Sequence, residues 1–454
     1  MTHVDPDVAA LIAIGILFLF LVVRVPVAIG LLVAGAIGLL LVDGSGTVNA
    51  VVGRRPYEVT ARYTLIVITY FLAMGILIQI GTVPQDLFRM AERVTRRIPG
   101  GLAVATVGAC AGFAAVCGSS VATVVSVGRI AIEQMRRHGY STTVAAGVVG
   151  AAGTLGVLIP PSITLVLYGV VSGESVGRML LAGIIPGIIS AVGYAAAITG
   201  RAKFRPQDFR HVAAPRDARP EILEDVHGEF TTLPGAPIAS MLKIAALFFT
   251  VMGGIYAGFL TVVEAAAAGA LMALLFTLLE VRRLGSGFLP RLRLSLLEAV
   301  SLNSMAFMLV IGAGVFSYFL VSAGLPREFA SWAVGLDVAP LALISVLLLM
   351  MIPLGMFLDP ISMLLISVPI IYPVVIQLGY SGIWFGIIVV KMTEIAIITP
   401  PFGLNAFVVA GISEDISVDQ AFRGVLWYLP LDVLTIVLLF IFPGLVTWLP
   451  SISQ

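Results

Sequence analysis

The sequence predicts an all-α, polytopic membrane protein with inverted repeats, about ten spanning helices and two re-entrant helical hairpins. Three observations carry that reading. The 454 residues are 59% hydrophobic and 11% charged, with a mean hydropathy of +1.08, whereas soluble domains carry roughly 25% charged residues. Gly139-Tyr140-Ser141 is followed after eighteen residues by Pro160-Pro161, and Gly379-Tyr380-Ser381 is followed after eighteen residues by Pro400-Pro401. Each double proline falls inside an apolar stretch, where a helix has to break because proline lacks the N–H and clashes with the preceding turn.

Apolar segments occur near 8–23, 27–43, 63–82, 101–127, 144–172, 180–199, 240–258, 262–280, 298–323, 339–378, 383–410 and 425–449. The first is read as a retained helix rather than a signal peptide, because Asp5 and Asp7 precede it and no basic residue does. Basic loops orient the rest. Arg89, Arg93, Arg96 and Arg97 precede segment 101–127, and Arg129, Arg136 and Arg137 follow it. Both flanks are therefore cytoplasmic, and one run of 27 residues is too short for two crossings of roughly 20 residues each. It reads as a hairpin that enters the bilayer and turns back at Cys117-Gly118-Ser119-Ser120. The basic stretches Arg201 to Arg219 and Arg282 to Arg293 mark further cytoplasmic loops. The second hairpin, 339–378, has no basic flanks and so enters from the opposite face, turning at Gly355-Met356-Phe357-Leu358-Asp359-Pro360. Arg54, Arg55 and Arg62 conflict with this scheme, since their loop falls outside; it is expected to lie along the interface.

The chain thus divides into a first half (1–199) with hairpin 101–127 and broken helix 144–172, a cytoplasmic linker (200–239), and a second half (240–454) with hairpin 339–378 and broken helix 383–410. Other features are bland. A net charge of +1, with basic residues in short loops, points away from nucleic acid. Cys110 and Cys117 read as buried thiols on one helix, the four histidines have no ligand spacing, and the acidic run Glu221 to Glu229 reads as a solvated face. Gly312-x-Gly314 has no strand beside it and does not imply nucleotide binding. Glu264 reads as an anion at a helix N-terminus.

Inside hydrocarbon every backbone polar group needs a partner. A double proline frees carbonyls near Gly156 to Ile159 and near Ala396 to Thr399, and freed carbonyls with hydroxyls suit a hard cation such as Na⁺. The tip Gly118-Ser119-Ser120 is expected against the first break, and the tip at Gly355 against the second, where Thr399 adds a hydroxyl. Helix N-termini at Ser119 and after Pro401 would face an anionic substrate, with Asn405 as a polar contact. Asp359 and Glu394, acids in apolar stretches, are candidates for cation coupling; Glu394 has Lys391 as a local partner.

These motifs resemble the large membrane subunit of the tripartite ATP-independent periplasmic (TRAP) transporters. The resemblance rests on Gly118-Ser119-Ser120-Val121-Ala122-Thr123, Gly153 to Ser162, Leu181 to Gly187, Gly355 to Asp359 and Ile398 to Asn405, with Arg24 to Gly30 and Val263 to Ala267 in support. It implies an elevator-type secondary transporter of the bacterial inner membrane, coupled to Na⁺ and not to ATP. The implied partners are a separate small four-helix membrane subunit and a periplasmic substrate-binding protein. The implied cargo is an organic acid, such as a C4-dicarboxylate or a sugar acid. Carried over by position, the first Na⁺ site would use Cys117, Gly118, Ser119, Ser120, Gly156, Ile159 and Pro161. The second would use Gly355, Ala396, Thr399 and Phe402. Ser119, Ser120, Ser162, Asp359, Glu394 and Asn405 remain the candidates for substrate binding or coupling. Cys117 stands where the family has serine, and Ala396 where it has glycine; a carbonyl ligand survives both changes. The rival readings are a self-sufficient Na⁺- or H⁺-coupled carrier and, more remotely, an intramembrane enzyme, for which no acid dyad, metal cluster or activated nucleophile is in register.

Overall fold

Residues 4–209, 237–279, 288–336, 338–401 and 403–452 are described by a computed structural model, and among them every regular element is helical. Among the described residues six helices are long and apolar enough to cross a bilayer, or up to eight if each bent pair is one span. The expected first spans, Pro6–Val22 and Val27–Val42, are helices of 17 and 16 residues, at the short end of what a roughly 30 Å hydrocarbon core requires.

The repeated Gly-Tyr-Ser is a helix-to-helix joint. Gly139 (φ 77°) and Gly379 (φ 80°) adopt the left-handed conformation that ends a helix. In the first joint the Tyr140 amide donates to the Met135 carbonyl and the Gly139 amide to Arg136; in the second, Tyr380 donates to Val375 and Gly379 to Ile376. Ser141 and Ser381 then cap the next helix, each accepting from the amide three residues on. The same sequence triplet thus makes the same stop and start in both halves.

The first hairpin has arms Gly101–Cys117 and Ser120–Arg137. The second arm runs ten residues beyond the expected end at Val127 because it turns amphipathic, with polar Arg129, Gln134 and Arg137 spaced along helical turns. The first broken helix is Thr142–Leu158 followed by Ile163–Ser172, bent by 42°. The second hairpin comprises Pro340–Leu349, Met351–Gly355 and Pro360–Gln377. Its broken helix is Gly382–Ala396 followed by Leu404–Gly411. Both double prolines, Pro160-Pro161 and Pro400-Pro401, contain a cis bond.

The first hairpin packs on its broken helix, the second hairpin on both broken helices, and Val176–Phe204 and Leu429–Ile441 close the group. A second layer is built on Phe288–Ser322, a 35-residue helix packed against Val27–Val42 and against Gly44–Thr60. Gly312 serves that contact: a Cβ there would stand 2.2 Å from the Ala28 carbonyl oxygen. The segment 44–62, expected as a loop, is largely the helix Gly44–Thr60, bent 58° from the span that follows. It is far more polar than the spans around it, because Arg54 and Arg55 share it with Glu58, which pairs with both. Glu264 accepts from the amide and hydroxyl of Thr261, whose hydroxyl accepts in turn from the Glu264 amide, so it completes a capping box. Cys110 and Cys117 are free and buried. The expected linker is helical through Phe204, with a short turn at Pro206–Asp208. Its residues 210–236, together with Arg282, Arg283 and Phe402, lie outside the described residues.

Candidate functional site

The first hairpin tip sits in the first break. Gly118 has φ 63°, and a Cβ on it would stand 2.4 Å from the Pro161 carbonyl oxygen. A Cβ on Gly156 would stand 2.6 Å from the Ser119 carbonyl oxygen and 2.9 Å from the Thr123 hydroxyl. Only glycine permits either approach. The Ile163 amide reaches the Gly118 carbonyl at 3.5 Å, joining tip to half-helix. Cys117, Gly118, Ser119, Gly156 and Pro161 are thereby brought together.

The break leaves acceptors in surplus. The Gly156 carbonyl would take its helical bond from Pro160 and the Val157 carbonyl from Pro161, and neither proline has an N–H to give. The Ser162 hydroxyl donates to Val157 and also accepts from the Leu165 amide, capping the second half-helix. The Gly156 carbonyl gains no such substitute among the described bonds. Ile159 is in extended backbone at the helix end, its side chain turned onto Gly187. The Cys117 thiol lies 3.9 Å from the Gln79 amide nitrogen, and Gln79 also accepts from the Ser126 hydroxyl at 2.9 Å.

The second tip also meets its break closely, but through side chains rather than carbonyl oxygens. A Cβ on Gly355 would stand 2.2 Å from the Ala396 Cβ and 2.6 Å from the Met363 sulfur. The Ala396 carbonyl accepts from the Thr399 amide at 3.2 Å, and the Ile397 carbonyl from the Asn405 amide at 3.1 Å. The Thr399 hydroxyl donates to Ile395 at 2.6 Å, which leaves its own lone pairs open. The acceptors here are thus more committed than at the first break. Asp359 is occupied as a cap: its carboxylate accepts from the amides of Ile361 and Ser362 and from the Ser362 hydroxyl. The Asp-Pro pair, a good cap followed by proline at the first helical position, is the sequence signal for that role.

Asn405 is fully buried and joins the two repeats. Its amide nitrogen lies 2.8 Å from the Ser120 hydroxyl and 3.0 Å from the Gly150 carbonyl, and its amide oxygen lies 3.0 Å from Ser120. Ser120 therefore turns toward the second repeat while Ser119 caps the second arm of the first hairpin through the Ala122 amide.

Glu394 belongs to a separate buried cluster. The Lys391 ammonium lies 2.5 Å from Glu394 and 2.7 Å from Asp432, all three side chains being fully buried. The Tyr194 hydroxyl donates to Asp432 at 2.5 Å and sits 3.3 Å from the Thr154 hydroxyl. Lys391 is visible beside Glu394 in the sequence; Asp432, Tyr194 and Thr154 are not, since they come from three other helices. One carboxylate oxygen on each acid has no protein partner among the described residues.

Residues 14–445 match the model of the tripartite ATP-independent periplasmic transporter, DctM component. The chain belongs to this family. It is 35% identical over 399 residues to the C4-dicarboxylate TRAP transporter large permease protein DctM of Pseudomonas aeruginosa, covering 87% of each chain. It is 31% identical to the isethionate TRAP transporter permease protein DctMQ of Oleidesulfovibrio alaskensis, covering 97% of this chain and 65% of that one. The crystal structure of the Alcanivorax borkumensis YdaH transporter has the same fold, with a TM-score of 0.60 over 96% of this chain and 98% of that one at 15% identity. This TRAP family member is accordingly a multi-pass membrane protein of the large permease type, and the relatives named are transport proteins.

Proposed function

We propose that this protein is the large membrane subunit of a Na⁺-coupled importer for an organic acid in the bacterial inner membrane. The observation that carries the proposal is the seating of the Gly118-Ser119 tip on Gly156 and Pro161, repeated in outline by Gly355 on Ala396. The first seat gathers backbone carbonyls at a helix break, a donor set of uncharged oxygens that fits Na⁺. The first site would use the carbonyls of the tip at Cys117 to Ser120 and of Gly156 and Ile159. The second would use carbonyls of Gly355 and Ala396 with the Thr399 hydroxyl.

Na⁺ bound at a tip holds that hairpin against its broken helix, so the loaded unit is compact and its excess of acceptors is neutralised before it crosses. Substrate would bind between the tips. There the helix that begins at Ser120 directs partial positive charge toward an anion. C4-dicarboxylate and isethionate in the names of relatives support an organic anion as cargo. The word tripartite in the family description supports two partners, a small membrane subunit and a periplasmic binding protein. Motion of the two hairpins and broken helices against the layer built on Phe288–Ser322 would carry the cargo.

The test is uptake into proteoliposomes. Accumulation should require an inward Na⁺ gradient, the small subunit and the binding protein together. Uptake by this chain alone, driven by a proton gradient, would overturn the reading.

A further inference from the structure

Three arginines, Arg54, Arg55 and Arg62, lie on a face where the charge pattern of the rest of the chain expects none, and the transport site described above does not use them. Two of them line a cavity. It has a volume of about 290 Å³ and lies between Gly44–Thr60 and Phe288–Ser322 on one side and the second halves of the first broken helix and second hairpin on the other. Arg55, Arg62, Ser172, Ser317 and Tyr372 supply its polar wall, and no acidic side chain among the described residues lines it. Arg62 also borders a second cavity of about 490 Å³; Glu174 is in that second wall, its carboxylate accepting from the Tyr372 hydroxyl at 2.8 Å, and residues 62–64, 173–177 and 261–263 meet there. These are three of the loops that the charge pattern puts outside, so the arginines stand at the outer end.

Neither guanidinium is spent. Arg55 gives one nitrogen to Glu58 at 3.2 Å and lies over the Tyr318 ring at 5.3 Å, but its buried Nε has no partner among the described residues. Arg62 is exposed and makes one long bond, 3.4 Å, to the Val170 carbonyl at the end of the first broken helix. Two planar forks facing a cavity with no acid in its described wall suit a carboxylate, which accepts paired N–H bonds. The volume suits a small ligand, at the lower end of the usual range of roughly 300–1,000 Å³.

We infer that this cavity is an outer anion subsite, which receives a carboxylate of the organic acid before it reaches the hairpin tips. The inference rests on the organic-acid reading above for its choice of anion. It assigns Arg55 and Arg62 a reason to sit against the orientation rule: they concentrate an anionic cargo at the entrance.

The test uses the purified full chain in detergent, with succinate as the probe at constant Na⁺ and ionic strength and uncharged succinamide as control. Succinate should raise the unfolding temperature saturably and succinamide should not. Arg62→Gln should weaken the apparent Kd by about tenfold, as loss of a bond to a charged group requires, and Arg62→Lys should fall between. Arg62 is exposed, so R62Q keeps its fold; R55Q, which also loses Glu58 and Tyr318, should weaken binding at least as much if it folds. A wild-type protein that ignores succinate, or R62Q titrating as wild type does, overturns the subsite. Na⁺-driven uptake alongside either result leaves the transport reading intact. An Arg62-dependent titration without Na⁺-driven uptake would do the reverse.

Discussion

Gly118→Ala separates two effects that one position combines. Gly118 is left-handed at φ 63°, and its absent Cβ would fall 2.4 Å from the Pro161 carbonyl oxygen and 3.3 Å from the Pro161 carbonyl carbon. Gly173 is also left-handed, at φ 80°, but nothing lies within 4 Å of the Cβ it lacks. Gly173→Ala should therefore lose only the backbone preference, about 1–2 kcal/mol. Gly118→Ala should lose that and also force the tip from the break, adding about 1–3 kcal/mol as overpacking does. Equilibrium unfolding in mixed micelles measures both. In uptake assays, G118A should raise the Na⁺ concentration for half-maximal rate, whereas G173A should not. Equal destabilisation by the two substitutions, or an unchanged Na⁺ dependence in G118A, would refute the argument that the tip is seated on Pro161.

Gly355→Ala should be strongly disruptive because its Cβ would meet that of Ala396 at 2.2 Å; adding Ala396→Gly should restore part of the stability and Na⁺ response, measured as a double-mutant cycle. Lys391→Met should destabilise by about 3–5 kcal/mol, since it leaves Glu394 and Asp432 buried without their shared cation. The triple change K391M/E394Q/D432N should regain most of that loss in the same unfolding assay. Asn405→Ala should lose about 1–3 kcal/mol by stranding the buried Ser120 hydroxyl, and uptake should fall with it.

What the sequence makes legible is whatever is written locally. Pro160-Pro161 and Pro400-Pro401 announce breaks because proline's missing N–H is a property of one residue, and Gly118 and Gly355 announce tips because a close approach tolerates no Cβ. The repeated spacing then pairs each tip with its break. Partners supplied from afar leave no trace. Asp432 reaches Lys391 from another helix, and Asn405 reaches Ser120 across 285 positions; neither has a local pattern. The helix Gly44–Thr60 is hidden for a different reason: its pairing of Arg54 and Arg55 with Glu58 gives it the polarity of a loop. Asp359 resembles a coupling acid when judged by depth alone, and a cap when judged by its position ahead of Pro360.

The bonds from Asn405 to Ser120 and Gly150 bear on how this chain can change over time. Two copies of a repeat ordinarily drift apart at separate rates, each answerable only to its own packing. Here one amide closes a circuit through both, so a substitution at 405 must be answered at Ser120, 285 positions earlier. The halves inherit their alterations jointly at this point, and a chimera that joins one half to a relative's other half should work only where positions 120 and 405 travel as a pair.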